Sequence, residues 1–229
     1  MNINRKKLLA MVSLALFPIS LVLAVGTSLD TEKEKYSYAI GVNFAQSLMR
    51  QGAPLDADAV YMGVNDVLSD SELRLDANTI SAVLRNQAQK VGERKKQSAA
   101  VNLLRGREYM ERNGKKASVT TLPNGIQYEV LRQGSGKQPS VSSTVRVHYS
   151  GSLVDGREFD SSKRRGEPAE FAISDVIKGW QYALPLMREG SRWSVSIPPE
   201  FAYGIKGAGS TIGPNETLVF EIDLLNIIE

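Results

Sequence analysis

The spacing of hydrophobic residues in this 229-residue chain changes near residue 117. Before that point apolar residues recur every three or four positions, which is typical of helices with one buried face. After it they alternate with polar residues, which is typical of strands. The pattern therefore predicts an α+β protein, with an all-α N-terminal region and a β-rich C-terminal region.

Two short helices are predicted first. Thr31 and Glu34 have the spacing of a capping box, and the helix that they begin should end near Gly52. Asp56 is suited to cap a second helix that ends by Ser69. The positions expected to face inward are Ile40, Phe44 and Leu48 in the first helix and Val60, Val64, Val67 and Leu68 in the second.

A third, much longer helix is predicted from Asp76 to Asn113-Gly114, where the glycine would supply a left-handed stop. At about 1.5 Å per residue it would be roughly 55 Å long, so we interpret residues 76–114 as a long connecting helix. Its middle, 92–97, is polar all round and should be solvated. Its first part has an apolar face that consists of Ile80, Val83, Leu84, Ala88 and Val91.

Helices of this size bury little surface alone, so they usually need a partner. We expect residues 27–90 to form a homodimerisation domain, in which Met49 and Met62 act as adaptable packing groups. The alternative is a monomeric helical hairpin in which the same methionines belong to an ordinary core.

The first 26 residues have the pattern of a secretory signal peptide. The basic stretch 5–7 precedes an apolar run from Leu8 to Val25, and small residues follow at Ala24 and Gly26. The run is also long enough for an uncleaved membrane anchor, although Pro18 interrupts it. We favour cleavage and keep the anchor as the alternative.

Charge and composition exclude several classes of function. The net charge of +3 comes from the three basic residues of the leader, and without them 25 basic residues balance 25 acidic ones, so no nucleic-acid partner is indicated. The chain has no cysteine, and His148 is its single histidine. Cysteine or triple-histidine metal sites are therefore excluded, and no nucleotide-binding loop is present. We expect no cofactor and no metal.

In the C-terminal region the alternation assigns strand faces. Asp155-Gly156 is a turn signal that can close a hairpin. One short helix is expected between Ser174 and Met187, which would lie on a curved antiparallel sheet. The residues expected on the buried faces are Val145, Val147 and Tyr149, then Trp193, Val195 and Ile197, and finally Leu218, Phe220, Ile222 and Leu224.

Aromatic residues stand at the ends of these elements in distinctive contexts. They occur in the segments 147–151 (VHYSG), 155–162 (DGREFDSS), 176–180 (VIKGW), 197–199 (IPP), 202–204 (AYG) and 217–220 (TLVF). In this order and spacing, residues 117–229 closely resemble the FKBP family of peptidyl-prolyl cis-trans isomerases. The helical region resembles, less specifically, the dimerisation module of the macrophage infectivity potentiator and FkpA group, which are secreted two-domain proteins of Gram-negative bacteria.

The resemblance implies an antiparallel half-barrel wrapped on one short helix, with an aromatic pocket for proline. By this resemblance, the catalytic residues are Asp160, Tyr203, Phe159 and Trp180, with Trp180 as the pocket floor. The substrate-binding residues implied by it are Tyr149, Phe171, Val176, Ile177, Ile212 and Phe220. Arg165 stands where members of the family commonly pair an arginine with the aspartate.

Two positions depart from the family pattern. Ala169 stands where many members carry a pocket aromatic, so one wall of the pocket should be lower. Thr211 replaces a more apolar residue of the loop that covers the site. Macrolide inhibitors are candidate ligands by resemblance, and Ala169 bears directly on how tightly they would bind.

The expected function is to accelerate the isomerisation of X-Pro bonds in unfolded or nascent exported polypeptides, together with chaperone activity. The expected location is the periplasm, with attachment to a membrane or association with the outer membrane as alternatives. Two other functions remain open: a periplasmic binding chaperone in which the isomerase pocket is secondary, and an isomerase-like adaptor that has lost turnover.

Overall fold

The computed structural model describes residues 28–50 and 54–228. The leader predicted for residues 1–26 lies outside the described residues, so both of its interpretations stay predictions. Within the described ranges, no helix combines the length and the apolar character that crossing a membrane requires.

The first helix, α1 (Glu32–Arg50), begins with the capping box that the sequence predicts. The backbone N–H of Thr31 donates to Glu34 Oε2 at 2.7 Å, and the backbone N–H of Glu34 donates to Thr31 Oγ1 at 3.2 Å. The reciprocal bonds satisfy two N–H groups at the start of the helix. Along the apolar face Ile40 and Phe44 are exposed in the single chain, whereas Leu48 is half-buried.

The second helix, α2 (Ala57–Leu68), begins at the predicted cap, where Asp56 accepts from the N–H of Ala59 at 2.9 Å. The prediction that its apolar residues face inward is wrong for the single chain, because Val64, Val67 and Leu68 are all exposed and only Val60 is half-buried. Exposed apolar side chains that are grouped on one surface often mark an interaction site.

The long third helix is α3 (Ala77–Gly114), and its bounds agree with the predicted ones. Asp76 caps it by accepting from the N–H groups of Asn78 and Thr79 at 2.8 and 2.9 Å. The predicted left-handed stop at Gly114 is wrong: the cap residue is Lys115 in right-handed helical conformation, and its N–H turns back to Asn113 O. The chain thus leaves α3 through a continued turn.

Seven strands form one antiparallel sheet. They are β1 (Val119–Thr121), β2 (Gln127–Arg132), β3 (Thr144–Leu153), β4 (Glu158–Ser161), β5 (Ala169–Ala172), β6 (Arg192–Ile197) and β7 (Leu218–Ile228). The order across the sheet is β1-β2-β6-β7-β3-β4, and β5 also pairs with β3. Because β3 pairs with β7 along its whole length, these two strands are the centre of the sheet.

The core lies on the face of the sheet that the alternation predicts. All the residues expected on the buried faces of β3, β6 and β7 are buried. The predicted hairpin is also present, since Gly156 adopts a φ of 88° and its N–H donates to Leu153 O at 3.0 Å. A single helical turn that was not predicted from the sequence, α4 (Ser162–Arg165), follows β4.

The helix that packs on the sheet is shorter than predicted. The segment expected between Ser174 and Met187 contains a 3-10 turn, then α5 (Lys178–Ala183), then a second 3-10 turn that includes Pro185. Proline cannot continue an α-helix as a donor, which explains the early end. Val176, in extended conformation, is followed by Ile177, the N-cap residue of α5.

Candidate active site

A cleft of about 340 Å³ opens on the concave side of the sheet beside the start of α5. It falls within the size range of small-molecule sites, about 300–1,000 Å³. Its lining residues are Tyr149, Phe159, Asp160, Phe171, Asp175, Val176, Ile177, Trp180, Tyr203 and Phe220. Six of the ten carry an aromatic ring, so the cleft offers a mainly apolar wall with a few polar groups.

The indole of Trp180 forms the floor of the cleft. It is 4% exposed, because the rings of Tyr149, Phe171 and Phe220 surround it with centroids 5.4, 5.8 and 5.3 Å away. All three rings meet it edge to face, at 86°, 90° and 84°, which is a favoured aromatic geometry. Phe159 meets Phe220 in the same way. The floor of the cleft is therefore closely packed by aromatic contacts.

A backbone close approach also holds the floor. Gly179 precedes the tryptophan in α5, and a Cβ at this position would lie 2.4 Å from Cγ2 of Ile197 on β6. Ile197 is fully buried and cannot move aside. Only glycine therefore allows α5 to sit this close to the sheet, which seats Trp180 at the base of the cleft.

Polar groups converge on Asp160 at the rim of the cleft. The Tyr149 hydroxyl and the Arg165 guanidinium both donate to its carboxylate, one to each oxygen. Arg165 also donates to the Tyr149 hydroxyl at 3.0 Å. The predicted pairing of Arg165 with the aspartate is therefore present. The three side chains form a closed network, in which the carboxylate orients the tyrosine ring that lines the cleft.

This network changes the pKa values of its members. Burial acts to raise the pKa of the Asp160 carboxyl, but the hydrogen bonds from Tyr149 and Arg165 outweigh it and hold that pKa below its ordinary value. Burial, together with the hydrogen bond to Asp160, raises the pKa of Tyr149. At neutral pH the rim thus carries an ionised carboxylate and a protonated phenol.

Tyr203 also lines the cleft and is more accessible, with 40% of its surface exposed. Its hydroxyl makes no hydrogen bond to another described residue, which leaves it free for a ligand. Phe171 lies on β5 and reaches the floor, while Ala169 on the same strand is half-buried beside the core. Ala169 is not among the residues that line the cleft.

Nine of the ten predicted site residues line this cleft, and the tenth does not. Ile212 is buried in the core instead, where its backbone pairs with Ala208 in a small two-residue bridge at 2.9 and 3.1 Å. The Ile212 side chain belongs to the same buried cluster as Trp180 and Phe220.

The cleft is also lined by Asp175, which is not among the site residues predicted from the sequence. It ends the 3-10 turn before Val176, and Ser174 Oγ donates to its carboxylate at 2.9 Å. The signal was its position immediately before the predicted pair Val176-Ile177. Asp175 was missed because residues from Ser174 onward were predicted to form the first turn of a helix, and not the edge of the cleft.

Among the described residues, no cluster of three or more histidine, aspartate or glutamate side chains is suited to bind a metal ion. His148 lies on β3, where Nδ1 is 3.1 Å from Ser162 Oγ. It is a neighbour of Tyr149 on the strand and does not line the cleft.

Two family models match the chain. Residues 135–225 match the model described as FKBP-type peptidyl-prolyl cis-trans isomerase. Residues 33–130 match the model described as the domain amino terminal to FKBP-type peptidyl-prolyl isomerase. Together they span most of the described chain.

Curated relatives and a solved structure agree with this. A protein of Escherichia coli K12 named FKBP-type 22 kDa peptidyl-prolyl cis-trans isomerase is 40% identical over 200 residues, which cover 87% of this chain and 97% of the relative. The outer membrane protein MIP of Legionella longbeachae is 39% identical and covers 88% of both chains. The crystal structure of FkpA from Escherichia coli matches with a TM-score of 0.61 at 34% identity, over 87% of this chain and 98% of that one.

Proposed function

This chain belongs to the FKBP-type peptidyl-prolyl cis-trans isomerase family and is an isomerase of X-Pro bonds; from this membership we propose that the aromatic cleft is where the bond turns. The observation that carries the proposal is the buried Trp180 floor enclosed by aromatic rings beside an ionised Asp160. Such a cleft binds a flat apolar ring and leaves the neighbouring carbonyl near polar groups.

The mechanism that we propose needs no acid or base. Rotation about an amide bond has a barrier of about 18–20 kcal/mol, because resonance is lost at the twisted state. A twisted amide is less dipolar than a planar one, so it loses less solvation on leaving water. An apolar floor that holds the proline ring therefore favours the twisted state over the planar state.

We assign the polar residues to the carbonyl that turns. The Tyr203 hydroxyl, which is exposed at the cleft wall, would donate to a carbonyl that flanks the proline. Asp160 would act through its charge and by orienting Tyr149, to which it is hydrogen-bonded. Preorganised groups of this kind stabilise a transition state without having to rearrange.

Tryptophan fluorescence tests whether proline binds in this cleft, because the chain contains two tryptophans. Trp193 stacks on Tyr128 with centroids 4.2 Å apart and does not line the cleft. In a Trp193→Phe variant, Trp180 is the single reporter. We expect a short X-Pro peptide to change its emission saturably, since the proline ring would lie on the indole.

The reciprocal variant, Trp180→Phe, leaves only Trp193 and should show no response to the same peptide. A matched peptide with alanine in place of proline controls for unspecific association. A response from Trp193 with none from Trp180 would place the substrate elsewhere and would refute the assignment.

We propose that the isomerase domain, residues 117–229, acts as one arm of a homodimer that residues 27–90 hold together. The support is the apolar surface on α1 and α2, where Phe44 is 46% and Leu68 is 82% exposed in the single chain. Exposed apolar surface of this extent usually marks an interface. The connecting helix would then separate two clefts.

We propose the cell envelope of a Gram-negative bacterium as the location and exported polypeptides as the substrates. The support is the leader pattern in residues 1–26 and the similarity to the outer membrane protein MIP of Legionella longbeachae. Chaperone action, in which the two arms hold an unfolded chain, is part of the same proposal. The family membership favours an active isomerase over a module that only binds.

A further inference from the structure

The last four turns of α3 are bonded to the β-sheet region. Asn113 Nδ2 donates to Gln127 Oε1 at 3.0 Å, and Gln127 Nε2 donates to Met110 O at 2.9 Å. One turn earlier, the hydroxyl of Tyr109 lies 3.2 Å from Ser196 Oγ on β6. This part of the helix is therefore fixed to the sheet by side chains from two strands.

Higher on the helix, α3 contacts the segment that carries Tyr203. We call residues 198–217 the covering segment. Asn102 Nδ2 donates to Pro214 O at 3.0 Å, and Asn215 Nδ2 donates to Ala99 O at 3.4 Å. Ala99 is buried by this contact, whereas the helix around it is exposed.

Both ends of the covering segment lie against the same stretch of helix. A cavity of about 310 Å³ lies between α3 and the two ends of this segment, and its lining residues are Leu103, Gly106, Arg107, Met110, Gly125, Pro198, Pro199, Glu200 and Thr217. Within the segment, the backbone N–H of Asn215 donates to Gly204 O at 2.9 Å, which joins its two halves into a loop. Tyr203 thus directly precedes Gly204, which is hydrogen-bonded to Asn215, and the side chain of Asn215 is in turn hydrogen-bonded to α3.

The point of closest approach is occupied by a glycine. A Cβ at Gly106 would lie 2.3 Å from Thr217 Oγ1 and 3.1 Å from Thr217 Cβ. Glycine in the interior of a helix costs about 1 kcal/mol relative to alanine, so its presence here needs a reason. The reason in this fold is contact with Thr217, which is buried at the end of the covering segment.

We propose that α3 is part of the isomerase unit, and that Asn102 and Gly106 are positioning residues that hold the covering segment so that Tyr203 stands at the cleft wall. This rests on the proposed function, because it assumes that Tyr203 acts on the substrate. The tyrosine depends on this support, since its own hydroxyl is not anchored to any described side chain. The connecting helix then positions the covering segment, in addition to linking the two domains.

The test compares two alanine substitutions in the same helix. Gly106→Ala should push α3 away from Thr217, whereas at Gly92→Ala no described atom lies within 4 Å of the new Cβ. Both variants gain the same helix propensity. We expect Gly106→Ala to lower kcat and kcat/KM for a short X-Pro peptide together by about 10-fold, because displacing a catalytic group by ~1 Å can cost up to about 100-fold. Gly92→Ala should match wild type.

Two further readouts separate positioning from a general loss of structure. Amide hydrogen exchange should rise in the covering segment of Gly106→Ala and stay unchanged in β3 and β7. Adding Thr217→Ala should restore much of the lost rate, since it removes the oxygen that the new Cβ would meet. If Gly106→Ala fails to fold, the isosteric change Asn102→Asp tests the positioning role instead, because a carboxylate cannot donate to Pro214 O. Its control is Asn86→Asp, at an exposed position of the same helix.

The outcomes distinguish this proposal from the one on which it rests. An active wild type with unchanged kcat/KM in Gly106→Ala, or in Asn102→Asp where that variant decides, would overturn the positioning role alone. Faster exchange without a loss of rate would likewise reduce the contact to a structural one. If Tyr203→Phe keeps the full wild-type rate, the function assigned to Tyr203 fails instead.

Discussion

At the scale of single residues, the chemistry of the rim depends on Asp160 staying ionised. Tyr149 and Arg165 both donate to it, and the pKa of its carboxyl is held below the ordinary value as a result. The fold therefore favours the ionised form. That contribution is fully present above the unfolded pKa and is lost as pH falls through the folded-state pKa.

The pH profile of the isomerase checks this. We expect kcat/KM to stay constant from neutral pH down to the ordinary pKa of an aspartate, which is 3.8, and to fall only below it. Replacing Arg165 by glutamine removes one donor and one positive charge, so the acid limb should move to higher pH. The measurement is kcat/KM against pH, with circular dichroism to show that the fold persists.

Arg164→Gln is the matched control, because this neighbouring arginine pairs with Glu158 at 2.8 Å and does not line the cleft. Its acid limb should coincide with that of wild type. An acid limb in Arg165→Gln that also coincides with wild type would mean that Arg165 does not set the charge of Asp160.

Most of the residues at the cleft could be predicted, and the reason is local. Most of the cleft aromatics stand within short runs of sequence that resemble the FKBP family, such as the segments 147–151 and 176–180. Asp175 and Ile212 were different, because their positions depend on a 3-10 turn and on a loop bridge. Single turns of this kind leave little periodic signal in a sequence.

At the scale of elements, alternation and capping residues predicted the helices and the central strands. The caps at Thr31, Asp56 and Asp76 all make the expected hydrogen bonds. These features need only neighbours within four residues. The end of α3 at Gly114 was predicted, but its left-handed stop was wrong, since a glycine permits that conformation and does not impose it.

Contacts between distant elements could not be predicted. The approach of Gly106 to Thr217 joins positions 111 residues apart, and nothing near either residue indicates the other. The same holds for Gly179 against Ile197. The packing role of neither glycine could be recognised from the sequence, because it comes from close contacts in the folded chain rather than from a turn.

At the scale of the whole molecule, the exposed apolar residues of α1 carry the expectation of a dimer. A charge at Phe44 should oppose association, because an unpaired carboxylate would be buried in an apolar interface. We expect sedimentation to show wild type as a dimer at micromolar concentration and Phe44→Asp as a monomer. Peptide turnover per chain should be unchanged, since Phe44 does not line the cleft.

Gln46→Asp provides the control for that experiment, because it adds the same charge at an exposed polar position of α1. It should remain a dimer. A monomeric wild type would instead support the helical hairpin, in which the apolar face of α1 serves no second copy.

The most direct test of the cleft as the isomerase site is the rate at which residues 27–229 convert a short X-Pro peptide from cis to trans. Wild type should accelerate it, and Asp160→Asn should lower kcat/KM by about 10-fold, equivalent to about 1.4 kcal/mol. Glu158→Gln, on the same strand but bonded to Ser150 outside the cleft, should match wild type. A folded wild type without acceleration, or an Asp160→Asn variant with the full rate, would contradict the assignment of the cleft as the isomerase site.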